Sequence, residues 1–140
     1  MAKIRKPQDA PHTEGSVAIE YGLILPAMLL FTLGIMDTGR LLWSYITLTR
    51  ATEAAARCGA VDKTNCPTLG NTQTYATAQA WGLNDITTAG TFTATAQNCG
   101  VQVVGTYAFQ FVIPWFYGTA PFGAANQLAL SATACYPKQY

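Results

Sequence analysis

The feature that most constrains this chain is an apolar run over residues 16–36, in which Glu20 is the sole charged residue. As an α-helix, a run of this length extends for about 31 Å, which matches the hydrocarbon thickness of a bilayer. A core helix of a soluble protein is the alternative, but few such helices are apolar on every face. The run therefore predicts a single membrane span.

The residues that flank the span indicate its orientation. Residues 1–15 carry Lys3, Arg5 and Lys6, so the positive-inside rule makes this segment a cytoplasmic leader. Three arginines that follow the span weaken the assignment, because they place equal positive charge on the other side. A cleavable secretory signal is not favoured, since its apolar core is only about 7–15 residues long and residues 36–40 make a poor cleavage site.

The helical pattern continues beyond the span. Apolar and small residues recur every three or four positions from Leu41 to Gly59, and Glu53 with Arg57 makes a favourable i,i+4 pair. We expect one helix over residues 16–57, about 60 Å long. Two helices separated by a break near Gly39 are the alternative.

Residues 58–140 differ in composition, being rich in Thr, Ala, Gln, Asn and Gly, with four charged residues. A short helix is predicted over residues 72–83. Residue alternation or β-branched and aromatic content predicts three strands, over residues 91–96, 101–113 and 128–135. The predicted fold class is α+β, with a long N-terminal membrane-spanning helix followed by a small three-stranded antiparallel sheet that forms an exported head domain.

An aromatic loop connects the last two predicted strands, and its aromatic residues are Trp115, Phe116, Tyr117 and Phe122. Such residues usually complete the core of a small domain. The alternative is an interaction surface, because exposed apolar patches mark binding partners.

The four cysteines, Cys58, Cys66, Cys99 and Cys135, all follow the span. An even number confined to a small exported domain predicts disulfides formed in an oxidising compartment. Of three possible connectivities, we favour Cys58–Cys66, which closes a short loop, with Cys99–Cys135, which could pin neighbouring strands. Four free buried thiols are the alternative.

Composition argues against several functional classes. The chain has 8 Lys and Arg against 7 Asp and Glu, too balanced for nucleic-acid binding. His12 is the sole histidine and C-x-x-C is absent, so neither a metal site nor another cofactor is predicted. The head has two carboxylates, Asp62 and Asp85, and neither a G-x-S-x-G nor a P-loop pattern, so we expect no enzymatic activity.

A motif stands where the chain enters the span: Gly15-Ser16-Val17-Ala18-Ile19-Glu20-Tyr21. It resembles the processing site of type IV-like prepilins, where a prepilin peptidase cuts after glycine and glutamate is the fifth mature residue. The Glu-Tyr pair is similar to that of the Flp/Tad branch. Further elements extend the resemblance to the TadE-like family: Pro26, Gly34-Ile35-Met36-Asp37-Thr38-Gly39-Arg40, and an Ala/Arg-rich helix over residues 49–57.

The resemblance implies a minor pseudopilin or membrane-anchored accessory subunit of a Tad/Flp-type pilus. The implied location is the bacterial inner membrane, with the amino terminus cytoplasmic and the head outside. The implied partners are a prepilin-type peptidase, other pilins or pseudopilins, the Tad secretion machinery and the lipid bilayer. The alternative is an uncleaved single-pass membrane protein whose head binds a ligand or an envelope partner.

Gly15 and Ser16 are the candidate processing site, and Glu20, Tyr21 and Pro26 are the candidate assembly residues. Cleavage would create an amino group on Ser16 that can neutralise Glu20 of a neighbouring subunit; a hydrated Glu20 at the membrane interface is the alternative. Pro26 cannot donate an amide hydrogen bond, so we expect a kink or local unwinding. A kink without functional meaning is equally consistent with the sequence.

Overall fold

A computed structural model describes residues 14–83, 91–112 and 127–138 of the chain. Its elements are α1 (Glu14–Val61), α2 (Leu69–Gln79), β1 (Phe92–Gln97), β2 (Gly100–Gln110) and β3 (Gln127–Tyr136). Met1–Ile35 and Met36–Tyr140 form separate compact units. The aromatic loop predicted over residues 114–123 lies outside the described residues.

The first unit contributes the apolar part of α1. From Val17 to Ile35 every residue is exposed except the half-buried Gly34. Leu23 is 73% exposed and Phe31 is 70% exposed. Apolar surface of this extent is unfavourable in water, whereas lipid chains solvate it. Among the described residues, α1 is the one helix long and apolar enough to cross a membrane, with a mean hydropathy of 1.8 in its most apolar window.

The part of α1 in the second unit has one buried face. Small side chains dominate this face and are fully buried together with Leu48: Ala51, Ala55, Ala56 and Ala60. Thr52 is also fully buried, and its hydroxyl donates a hydrogen bond to the Leu48 carbonyl at 3.0 Å. The opposite face exposes Arg50, Glu53 and Arg57 to solvent. This half of the helix is therefore amphipathic and belongs to the core of the head.

The sheet is antiparallel with the strand order β1-β2-β3. Gln97 pairs with Gly100, so a two-residue turn joins β1 to β2. Along β2 the buried positions alternate, with Val101, Val103 and Gly105 facing the core. The fold class is confirmed: a long N-terminal apolar helix is followed by a small three-stranded antiparallel sheet.

Gly105, in the middle of β2, is packed against side chains of α1 and β1. A Cβ atom at this position would lie 2.7 Å from Thr52 Cγ2 and 2.9 Å from a ring carbon of Phe92. Since real Cβ atoms do not approach so closely, a larger residue would push the sheet away from the helix. The glycine is a packing requirement of the head core.

β2 runs antiparallel to the second half of α1. Val101, near the start of β2, packs beside Gly59, where an added Cβ would meet Val101 Cγ1 at 3.0 Å. Val112, just beyond the end of β2, donates its amide hydrogen to Asp37. We call the Asp37 and Val112 end the near pole of the head, because it is nearest along α1 to the predicted span, and the Gly59 and Val101 end the far pole.

α2 begins three residues before its predicted start at Thr72 and ends at Gln79 instead of Leu83. The reason for the early start is a cap: the Thr68 side chain accepts a hydrogen bond from the Asn71 amide at 3.2 Å. At the other end, the Ala80 amide bonds to the carbonyls of Ala76 and Thr77, which closes the last turn.

Candidate functional site

The predicted processing and assembly residues lie in the first turns of α1. The backbone of Gly15 and Ser16 is helical. Glu20 follows Ser16 by four positions, which places the two on the same helix face one turn apart. Glu20 and Tyr21 are both exposed. Glu20 and Tyr21 are therefore accessible to other chains.

Pro26 lies inside α1, and the helix continues through it without a break. The expected local unwinding is thus not seen. A proline nevertheless cannot donate to the carbonyl four residues earlier, that of Gly22. In a membrane span such a carbonyl is satisfied by neighbouring groups.

A charged pair joins α1 to the end of β2 at the near pole. Asp37 is only 7% exposed. One carboxylate oxygen accepts a hydrogen bond from Arg40 Nη1 at 3.0 Å, and the other accepts the Val112 amide at 3.0 Å. The Arg40 guanidinium also lies 5.4 Å from the centre of the Phe109 ring. We call this arrangement the Asp37–Arg40 latch, since its charge-assisted hydrogen bonds hold the strand end to the helix.

The latch was not predicted from the sequence, although Asp37 and Arg40 are both in the segment that resembles the TadE-like family. The i,i+3 spacing of an acid and a base was the available signal for the ion pair. The contact with Val112 spans 75 positions, and no local pattern announces it. In the structure, Asp37 and Arg40 therefore have a packing role, which the family resemblance alone did not indicate.

Two disulfides staple the head. Cys58 and Cys66 have Cα atoms 5.8 Å apart, and Cys99 and Cys135 have Cα atoms 6.2 Å apart. The first bond closes the turn that follows α1. The second joins the β1–β2 turn to the end of β3. These are the two pairs favoured from the sequence.

Asp62 organises the turn inside the first disulfide. Its carboxylate accepts the Asn65 side-chain amide at 2.6 Å, the Asn65 backbone amide at 3.0 Å and the Thr64 backbone amide at 2.8 Å. These bonds, with the Asn65 side chain contributing most, lower the pKa of Asp62 below its ordinary value. A carboxylate with a lowered pKa is a weak base, so Asp62 is suited to holding the turn and not to proton transfer.

An open cleft of about 920 Å³ lies at the near pole, between α1 and the end of β2. Trp43, Tyr107 and Phe109 give it an aromatic lining, and Arg40 is the one charged residue among the described residues that line it. Within the described ranges, no three His, Cys, Asp or Glu side chains gather as metal ligands. This cleft is suited to apolar contact and offers little acid–base chemistry.

Comparison with known proteins identifies one segment of the chain. Residues 15–57 match the family model described as TadE-like protein. The matched segment contains the glycine of the candidate processing site, Glu20, Pro26 and both charged residues of the latch. No curated protein and no solved structure matches the chain. The TadE-like resemblance is confirmed for this segment.

Proposed function

We propose, from the premise that residues 15–57 are a TadE-like segment, that this protein is a minor pseudopilin or membrane-anchored accessory subunit of a Tad/Flp-type pilus. The observation that carries the proposal is Glu20, an exposed acid four positions after Ser16 and the sole charged residue of the apolar run over residues 16–36. In this role the chain acts through helix packing and subunit contacts.

Processing supplies the partner that Glu20 requires. A prepilin-type peptidase cuts between Gly15 and Ser16 and leaves an amino group on Ser16. An ionised carboxylate costs about 2.5–3.5 kcal/mol at the centre of a bilayer on insertion scales, and the cost is smaller but not zero near the cytoplasmic end of the span, where Glu20 lies. Pairing with the amine of a neighbouring subunit offsets that cost, because the two opposite charges neutralise each other. The contact also sets the axial register between adjacent helices, where Tyr21 and Pro26 present further contact groups.

The proposed location is the bacterial inner membrane, with residues 1–15 in the cytoplasm and the head outside. Three basic residues before the span support this orientation. The two disulfides support it as well, because disulfides persist in oxidising compartments and both of these lie beyond the span. The proposed partners are the peptidase, other pilins or pseudopilins, the Tad secretion machinery and lipid.

Cleavage is tested by the intact mass of the protein extracted from membranes of its native host. We expect a mass that lacks residues 1–15. Gly15→Val should restore the full-length mass, whereas Gly22→Val, a matched change inside the span, should not. Retention of residues 1–15 in the wild type, with the host peptidase active, would contradict the pilin-like role.

Assembly is tested by replacing Glu20 with its neutral isostere. Glu20→Gln should insert in the membrane normally but recover severalfold less of the pilus components in a pull-down. Glu53→Gln is the matched control, because Glu53 is an exposed acid on the same helix within the head. Equal recovery by wild type and Glu20→Gln would mean that Glu20 is merely hydrated.

The second candidate is an uncleaved single-pass membrane protein whose head binds a ligand or an envelope partner. The near-pole cleft favours it, because an open aromatic cleft is a suitable binding surface. The mass measurement separates the two candidates, since only the first requires processing at Gly15.

A further inference from the structure

Two exposed tryptophans meet at the surface of the head. Trp43, on α1, is 52% exposed, and Trp81, which follows α2, is 69% exposed. Their ring centroids are 5.7 Å apart in an edge-to-face arrangement. Leu42 and Ile46, on either side of Trp43 along α1, are about half exposed as well. We call these four residues the tryptophan patch. In water so much exposed apolar surface is unfavourable, which indicates a partner.

The position of Trp43 in the chain indicates that partner. Trp43 follows Met36, the last residue of the predicted span, by two helical turns, an advance of about 10 Å. The headgroup region extends about 5–7 Å beyond the hydrocarbon on each side of a bilayer. For a helix along the bilayer normal, the Cα atom of Trp43 thus lies about 3–5 Å beyond the headgroup region. Its side chain can span that gap, because side chains on a helix lean toward the amino terminus. The headgroup region is therefore within reach of the Trp43 ring.

We propose that the tryptophan patch anchors the head to the membrane–water interface, with the lipid headgroup region as its partner. Tryptophan concentrates at this depth because its ring is apolar and its N–H remains hydrated. Trp81 extends the contact from the helix to the head, since it belongs to the segment after α2.

The bilayer is favoured over a protein partner by continuity with the span. Every copy that inserts through residues 16–36 brings Trp43 to the interface, whatever else it binds. The proposal requires the membrane span but neither cleavage nor pilus assembly. A chain that keeps residues 1–15 or fails to recruit pilins should still show the anchor.

The test uses the full chain in phosphatidylcholine vesicles and tryptophan quenching by brominated lipid. The chain has three tryptophans. Trp81→Phe with Trp115→Phe leaves Trp43 as the reporter, and Trp43→Phe with Trp115→Phe leaves Trp81. The control replaces all three with Phe and adds Gln97→Trp, an exposed position at the far-pole end of β1.

We expect brominated lipid to quench Trp43 and Trp81 severalfold more strongly than the Gln97→Trp reporter, and aqueous acrylamide to show the reverse order. The wild-type chain should also lose fluorescence in brominated vesicles, which checks the result without any substitution. Equal acrylamide quenching of all reporters would overturn the proposal. So would shielding of Trp43 and Trp81 that appears only when pilus proteins are added, because it would assign the patch to a protein interface.

Discussion

The two halves of α1 share one helical backbone but carry opposite surfaces. Apart from the charged Glu20, residues 17–35 are predominantly apolar on every side, and all of them are exposed except the half-buried Gly34. Residues 37–61 bury a face of small side chains and leave charged residues on the other. Helicity is the same in both, so the side-chain pattern alone decides which half suits lipid and which packs against a sheet.

One glycine of α1, Gly59, shows the close packing of the second half at the level of single atoms. A Cβ atom added at Gly22, Gly34 or Gly39 would meet nothing within 4 Å, whereas one at Gly59 would lie 2.9 Å from Thr72 Oγ1. Glycine in the first half leaves room for other helices to approach. In the second half, Gly59 lets α2 and β2 pack closely against α1.

The largest expected effect is the loss of head stability when a disulfide is removed, because the disulfides stabilise the head and not the span. Replacing Cys99 and Cys135 with serine should lower the free energy of unfolding of the head by about 3–4 kcal/mol, since this disulfide closes the longer loop. The Cys58→Ser, Cys66→Ser pair, which closes a loop of separation 8, should cost less. Denaturant titration in micelles, followed by near-ultraviolet circular dichroism, measures both.

The helical signal of the span should survive this loss, because lipid or detergent and not the head sustains it. A far-ultraviolet signal that falls to zero together with the head transition would contradict the division of α1 into two independently stabilised halves.

The next effect compares two acids on the same helix. Asp37→Ala removes the acceptor of two hydrogen bonds at a buried site and should destabilise the head by about 1.5–3 kcal/mol. Asp37→Asn keeps an acceptor for the Val112 amide and should cost less. Glu20→Ala should leave the denaturant midpoint of the head unchanged, because Glu20 lies in the other half. Equal shifts for Asp37→Ala and Glu20→Ala would refute the latch.

The smallest effect is the acid response of the Asp62 turn. Its folded-state pKa is lowered, so the carboxylate contributes stability above its unfolded pKa of about 3.9, and this contribution disappears as the pH falls through the folded pKa. The melting temperature of the wild type should therefore drop more on acidification below about pH 4 than that of Asp62→Asn. Parallel melting curves for the two proteins would show that the turn bonds do not couple to folding.

Local patterns were sufficient to predict much of this fold. Hydropathy predicted the apolar helix, and alternation predicted β1 and β3 to within one residue at each end. Reliance on periodicity also explains why the predicted start of α2 was wrong. The helix begins after a side-chain cap at Thr68, whereas the periodic apolar positions begin later.

Local patterns could not predict the contacts between segments that are distant in the sequence. Neither the bond from Val112 to Asp37 nor the approach of Thr52 to Gly105 leaves a trace in local composition. The meeting of Trp43 and Trp81 likewise requires α2 to be placed against the helix first. Of the candidate site, the processing and assembly residues came from resemblance, and the latch came from the structure alone.

The contrast between the halves of α1 is tested most directly by spin labels at two exposed positions, Leu29→Cys and Glu53→Cys, on the full chain in vesicles. Paramagnetic collision measurements report whether each label meets oxygen dissolved in lipid or a nickel chelate dissolved in water. The label at residue 29 should collide mainly with oxygen and the label at residue 53 mainly with the chelate. Equal access of the water-soluble chelate to both labels would contradict a membrane-spanning first half.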